Sequence, residues 1–323
     1  MKIKIQILSP VHIGTGEKKN RMAFIIKNQN ISFINEDLFN FLVNKTGLTD
    51  KFIKWAQEGG NDISQFLKDH SEIKKEVLNN PLYSLPIRGT IEKEVALHIK
   101  DPSNQFFIPG SSIKGAIRTA LLYTVLEETK PNIDYLLKGI SNTDIKGVLN
   151  LEKRYAKWAG MEIEKFVFRA GFIKSNRIIS YSDAKYDLLK FIHFSDAYPI
   201  EAQYSVMPVT VIFSVSKTKM KTKSFIINVE VIEKGKFLCN LEIDMKTLLA
   251  LKNVDEKKEW INLKEKFKNV FAFSLDELTL NNLKEYEKKI VDRLLEAAYK
   301  FFQKKKEKDL ELINGKEIEI DNQ

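Results

Sequence analysis

The chain opens on strict alternation. In "KIKIQIL", Ile3, Ile5 and Ile7 fall on one face and Lys2, Lys4 and Gln6 on the other, the period of a half-buried strand. "SPVHIGTGEKKNR" then loses all periodicity and predicts a loop with two glycines and a cluster of Lys18, Lys19 and Arg21. "MAFIIKNQNISFI" predicts a hairpin turning at Lys27 to Asn30. From Glu36 to Asn79 the spacing is helical, through Leu38, Phe41 and Leu42, then Phe52, Ile53 and Trp55, then Phe66 and Leu67. Pro81 and Pro86 punctuate its end, and residues 91–99 fit either strand or loop. "FIPGSSIKGAIRTALL" starts as a turn and continues as a helix to Glu128, with Ile113, Ala116, Ile117, Ala120, Leu121 and Thr124 along its core face.

Residues 131–170 carry a helical pattern, and from Phe172 the chain turns β-rich. "VTVIFSV" alternates Val209, Val211, Phe213 and Val215, and "SFIINVEVI" and "KFLCNLEID" flank Gly235 as a second hairpin. After Asn253 the pattern is helical again. Leu283, Tyr286, Ile290, Leu294, Ala297 and Phe301 form an apolar stripe on a long charged helix, for core or subunit contact, and "KKKEK" closes it as a solvated end, with a nucleic-acid contact as the alternative. Strands, a hairpin and helices followed by antiparallel-looking strands predict an α+β fold with helices on one face of a sheet. The expected division is a core over 1–252, with a helical insertion at 36–82, and a helical region over 253–323.

Charge narrows the class of partner. Lys and Arg number 52 against 43 Asp and Glu, a net charge of +9 and a pI near 9.2, which favours polyanions: nucleic acid first, anionic membrane second. A merely lysine-rich surface gives the same sum. The one cysteine, Cys239, excludes an internal disulfide and a cysteine zinc site, and its apolar surroundings predict a buried thiol. No signal-peptide pattern and no bilayer-length apolar run occur, so the cytoplasm is the expected compartment.

Four stretches carry candidate chemistry. In "FIPGSSIKGAIRTALL", Lys114 and Arg118 load positive charge onto a helix end that is already positive, and no Glu or Gln closes a capping box after Ser111 or Ser112. Free N–H groups, Gly110, Gly115 and two cations suit a phosphate; a solvated helix start above a core face fits the same residues. A P-loop fails, because Ala116 and Ile117 stand where Lys and Ser or Thr are needed. In "HIGTG", Gly14 and Gly16 let backbone approach a ligand, and His12 contacts phosphate or base, or merely finishes the strand. "HFSDAYPI" sets His193 two residues from Ser195 with no nucleophile elbow, and reads as a structural turn. In "SKTKMKTKSF", Lys217, Lys219, Lys221 and Lys223 alternate, tracking successive phosphates if extended, or guarding a hairpin end. The four histidines are too dispersed for a metal site, and the reading calls for no cofactor.

The order of these motifs resembles a known family. "SPVHIGTG", "FIIKNQNISFINEDLFNFL", "FIPGSSIKGAIRTAL" and "FSDAYPI" together resemble the RAMP superfamily of CRISPR RNA-guided effector proteins, over residues 1–245. The likeness is closest to the end-capping subunit of type III-A (Csm) complexes. It implies a ferredoxin-like, RRM-related core with helical insertions. It also implies a non-catalytic subunit that binds the 3′ part of the CRISPR RNA (crRNA). Its neighbours would be a backbone subunit and a small helical subunit, and host nucleases would trim the crRNA. The implied RNA-binding residues are His12, Gly14 and Gly16 in one motif, and Gly110, Ser111, Ser112, Lys114, Gly115 and Arg118 in the other. Related backbone subunits cleave target RNA with an Asp in the loop after the first glycine motif. That loop here reads "EKKNRMAF" and implies no target cleavage. "KIKIQIL" lacks the aromatics of ordinary RRM sheets, so backbone reading is favoured over stacking on the sheet. The rival within the superfamily is a metal-independent endoribonuclease using His12 as acid or base.

Overall fold

The computed structural model describes residues 1–91, 93–131, 163–174, 177–179, 184–210, 212–214, 219–222, 226–254, 260–314 and 317–319. Its first half runs β1 (Lys2–Ile7), β2 (Gly14–Asn20), β3 (Phe24–Lys27), β4 (Asn30–Phe33), α1 (Glu36–Lys45), α2 (Thr49–Gln57), α3 (Ile63–Lys68), α4 (Ser71–Asn79), β5 (Tyr83–Pro86), β6 (Glu94–His98) and α5 (Gly110–Thr129). Then come β7 (Gly171–Lys174), β8 (Arg177–Ile179), β9 (Ile192–Phe194), β10 (Tyr198–Val209), β11 (Ile212–Ser214), β12 (Lys219–Thr222) and β13 (Ile227–Ile243). The chain ends with α6 (Met245–Leu251), β14 (Trp260–Ile261), α7 (Leu263–Phe271), α8 (Leu283–Ile313) and β15 (Glu317–Glu319). The fold is α+β.

The chain divides into two compact units, each discontinuous in sequence. A sheet unit holds Lys2–Pro109, Asp196–Cys239 and Asn314–Gln323; a helical unit holds Met1, Gly110–Ser195 and Asn240–Ile313. In the sheet unit, strands follow the order β1-β13-β6-β2, and β10 pairs antiparallel with β13. The hairpin of β3 and β4 turns through Asn28 and Gln29, both at positive φ, and β4 pairs with β5. Helices α1 to α4 lie between those two paired strands in the sequence. Their Phe39, Val43, Phe66, Leu67, Ile73 and Val77 form one buried cluster with Ile25 and Ile34 of the hairpin region. Asn35 caps α1 and Asp62 caps α3 through their side chains, each satisfying an amide that a helix start leaves open.

In the helical unit, the stripe of α8 is core. Tyr286, Ile290, Leu294 and Ala297 are buried, and Arg293 pairs with Glu128 of α5 at 2.6 Å while donating to the Val270 carbonyl of α7. The core face of α5 is narrower than its pattern suggests. Ala120, Leu121, Thr124 and Val125 are buried, whereas Ala116 is exposed.

Two sequence expectations are corrected. "GTGEKKN" is not loop but strand β2, paired antiparallel with β6. Its side chains are exposed except at Lys19, so neither face needed apolar residues and no alternation marked it. The segment around Gly235 is not a hairpin. β13 runs unbroken through it, and β10 lies so close that a side-chain carbon at Gly235 would stand 2.7 Å from the Glu201 carbonyl oxygen. The glycine serves close strand approach, beside register shifts at Pro199/Glu201 and Gln203/Tyr204. The helical expectation for 131–170 falls largely on residues outside those described; 163–168 is helical.

Candidate nucleic-acid interface

The first motif is built on a buried acid. Glu230 is fully buried in β13, where its carboxylate accepts from Tyr83 Oη at 2.7 Å, from the His98 amide at 2.8 Å and from Lys100 Nζ. Burial lowers the Lys100 pKa, opposed by Glu230; burial and the same carboxylate raise that of Tyr83. A buried charge with three donors is tolerable, and removing one partner costs about 3–5 kcal/mol. His98 is neutral. Its Nδ1 accepts the Ile13 amide at 3.0 Å, its Nε2 faces the Phe107 carbonyl, and desolvation pulls its pKa down to about 4.

His12 sits on this platform at the surface. Its Nδ1 lies 2.7 Å from the Glu230 carbonyl oxygen, which can only accept, so Nδ1 donates. A side-chain carbon on Gly14 would stand 2.9 Å from His12 Nε2. Gly16 adopts φ +87°, which non-glycine residues rarely adopt, where the β2/β6 register shifts between Gly14 and Lys18. Lys18 pairs with Glu94, Lys19 with Glu36 at 2.9 Å, and Arg21 donates to the Ile91 carbonyl at 2.9 Å. β2 is thus a lysine-bearing edge strand whose cations have loose, solvent-exposed partners.

The second motif answers its own charges. α5 starts at Gly110, where a side-chain carbon would stand 2.1 Å from the Phe194 carbonyl oxygen. Lys114 Nζ donates to the Ile192 carbonyl at 2.8 Å, and desolvation lowers its pKa. Arg118 pairs with Asp187 and Glu164, each at 2.9 Å, with its guanidinium over the Phe168 ring. Ser111, Ser112, Gly115, Ala116 and Thr119 remain exposed, a side of small residues along the first turns.

The lysine run divides. Lys217 and Lys223 lie outside the described residues. Lys219 and Lys221 belong to β12, the middle strand between β11 and β15, in register with Glu317 and Glu319. In "HFSDAYPI", the Ser195 hydroxyl accepts the Asn240 amide at 2.9 Å and His193 is exposed on β9. Among the described residues no group of three metal-ligating side chains forms, and no helix is long and apolar enough to cross a membrane.

The model of the RAMP superfamily matches residues 4–313. The chain belongs to the RAMP superfamily. It is 28% identical to the CRISPR system Cms protein Csm5 of Methanocaldococcus jannaschii over 323 residues, 90% of this chain and 67% of that protein. It is 34% identical to the Csm5 protein of Streptococcus thermophilus over 141 residues, 38% of each chain. Among solved structures, the crystal structure of T. onnurineus Csm5 superposes with a TM-score of 0.66 at 21% identity, covering 96% of this chain and 82% of that one. A Csm–crRNA–target RNA ternary complex of a type III-A CRISPR-Cas system contains a chain matching with a TM-score of 0.57 at 20% identity, over 88% of this chain and 73% of that one.

In this RAMP protein the groups that sequence reasoning missed are Glu230, Lys100, Tyr83 and His98. One signal was present: a lone acid in the apolar run "INVEVI", which cannot be buried without donors.

Proposed function

We propose that this RAMP protein is a non-catalytic, RNA-binding subunit of a type III-A CRISPR effector complex. It holds the 3′ part of the crRNA beside a backbone subunit and a small helical subunit, while host nucleases do the trimming. The observation that carries the reading is the family match over nearly the whole chain, with relatives named Csm5. The geometry supports backbone rather than base reading. At the first motif, exposed His12, the open backbone at Gly16, exposed Lys18 and half-buried Lys19 suit a ribose-phosphate chain, which exchanges for the solvent-exposed carboxylate partners of the two lysines. On α5, the exposed Ser111 and Ser112 hydroxyls and the clear side at Gly115 take the phosphate, while Lys114 and Arg118 hold the helix start.

The test is assembly. The full chain, expressed with its companion subunits, is expected to co-purify with short RNAs sharing a common 5′ tag. Recovery of the complex without this chain's cross-link to the 3′ region of the RNA would overturn the capping role.

One feature favours a second reading, an endoribonuclease: His12 is exposed and anchored through Nδ1, which leaves Nε2, beside Gly14, as the ring nitrogen for acid–base work. Its titratable neighbours His98, Lys100 and Tyr83 are committed to the buried network. Metal-free cleavage of precursor RNA by pure protein, lost in His12→Ala, would establish that reading instead.

A further inference from the structure

The "FSDAYPI" motif backs Gly110 through the Phe194 carbonyl, and it also ends on an exposed aromatic. Tyr198 opens β10 and is 42% exposed. Its ring lies nearly parallel to that of Phe107, with centroids 5.6 Å apart and planes at 19°. Phe107 is 9% exposed, so it backs the tyrosine from within the fold. The backbone pair Ile108↔Ala197 ties the two flanking segments together, with N–H to carbonyl contacts of 3.0 and 2.8 Å.

The surroundings of Tyr198 are those of a shallow platform. Across β13 its register partner is Leu238, itself 37% exposed, while Phe237 and Cys239 point into the core. Ile200, 59% exposed, falls at the register shift between Pro199 and Glu201. The rim is basic. Lys236 pairs with Glu201, and that pair, with the nearby Lys4, holds the Glu201 carboxyl below the usual range.

We infer that Tyr198 is a stacking platform for an unpaired nucleobase of a single-stranded RNA. Two observations choose this occupant over a protein surface. The ring is already held flat by Phe107, so a base adds a further layer without ordering a side chain. Across β13, Lys236 is paired with Glu201 and the exposed Lys4 lies near that pair, which leaves a net positive rim for the phosphates that flank a stacked base. The inference rests on the RNA-binding reading and adds a base contact to it.

The experiment measures binding of the full chain to a fluorescein-labelled single-stranded RNA across a salt series. Tyr198→Ala is expected to weaken binding about 5- to 100-fold, while Tyr198→Phe and Tyr198→Trp stay within about threefold of the parent. The salt dependence is expected to stay unchanged in Tyr198→Ala, because no phosphate contact is lost. Photocrosslinking of 5-bromouridine RNA to the unmodified chain is expected to mark Tyr198, independently of how any variant folds. Parental affinity in Tyr198→Ala with cross-links elsewhere would overturn the platform and leave the RNA-binding reading standing. A change in oligomeric state with parental RNA affinity would overturn it in favour of a protein contact. No RNA binding by the unmodified chain would overturn both.

Discussion

At the scale of residues, two side chains that look alike in sequence have opposite situations. His12 and His98 are both on the first motif's platform, yet one is exposed and the other is buried and neutral. The His98 pKa of about 4 lies below its unfolded value of about 6.5, so the unfolded chain takes up a proton the native state refuses. Stability from this site is therefore complete above pH 6.5 and falls as pH drops toward 4, by up to about 3 kcal/mol. His98→Asn keeps an acceptor near the Ile13 amide and removes the titration. Its thermal midpoint is expected to decline less between pH 7 and 4.5 than that of the parent; an identical decline would refute the assignment. Arg118 gives a second residue-scale prediction. Arg118→Ala removes the close cation of Asp187, which keeps the Leu189 amide at 2.9 Å and the more distant Arg169 at 3.7 Å, and is expected to cost about 2 kcal/mol in urea unfolding. Neither could be read from the sequence, because the partners sit 69 and 85 positions away.

At the scale of elements, the glycines of "IPGSSIKGAIRTAL" separate cleanly. Gly110 faces the Phe194 backbone at contact distance, so Gly110→Ala is expected to destabilise by about 3 kcal/mol. Gly115 meets nothing within 4 Å on a helix, so Gly115→Ala is expected to stabilise by about 0.5–1 kcal/mol. If backbone contact with RNA uses that open side, the same stabilised variant binds RNA more weakly, and chemical unfolding beside a binding titration checks both signs. Elements with a one-sided apolar pattern were legible: β1, the hairpin at Asn28 and Gln29, the helices α1 to α4 and the stripe of α8. Those without it were not. β2 is exposed on both faces and offers no period. β13 carries Lys234, Gly235 and Lys236 mid-strand, a turn signature produced instead by the bulged approach of β10.

At the scale of the whole molecule, a charge of +9 favours RNA without selecting a sequence. Affinity for unrelated single-stranded RNAs is expected to agree within severalfold. Log K is expected to fall with log salt at a slope of about −2 or steeper, at roughly 0.7 per phosphate. A slope near zero would remove the electrostatic basis of the reading. The motif order pointed to the family; the two-unit division was not legible, because each unit is assembled from distant segments. That assembly has a consequence in the cell. β13 lies between β1 and β6 in the sheet, but about 130 residues of chain separate it from β6. At roughly 5–20 residues per second, a ribosome needs roughly 6–26 s to deliver it. For that interval the nascent strands have no central partner, and a chaperone or their own lysines must keep them from pairing with a neighbour on the same message.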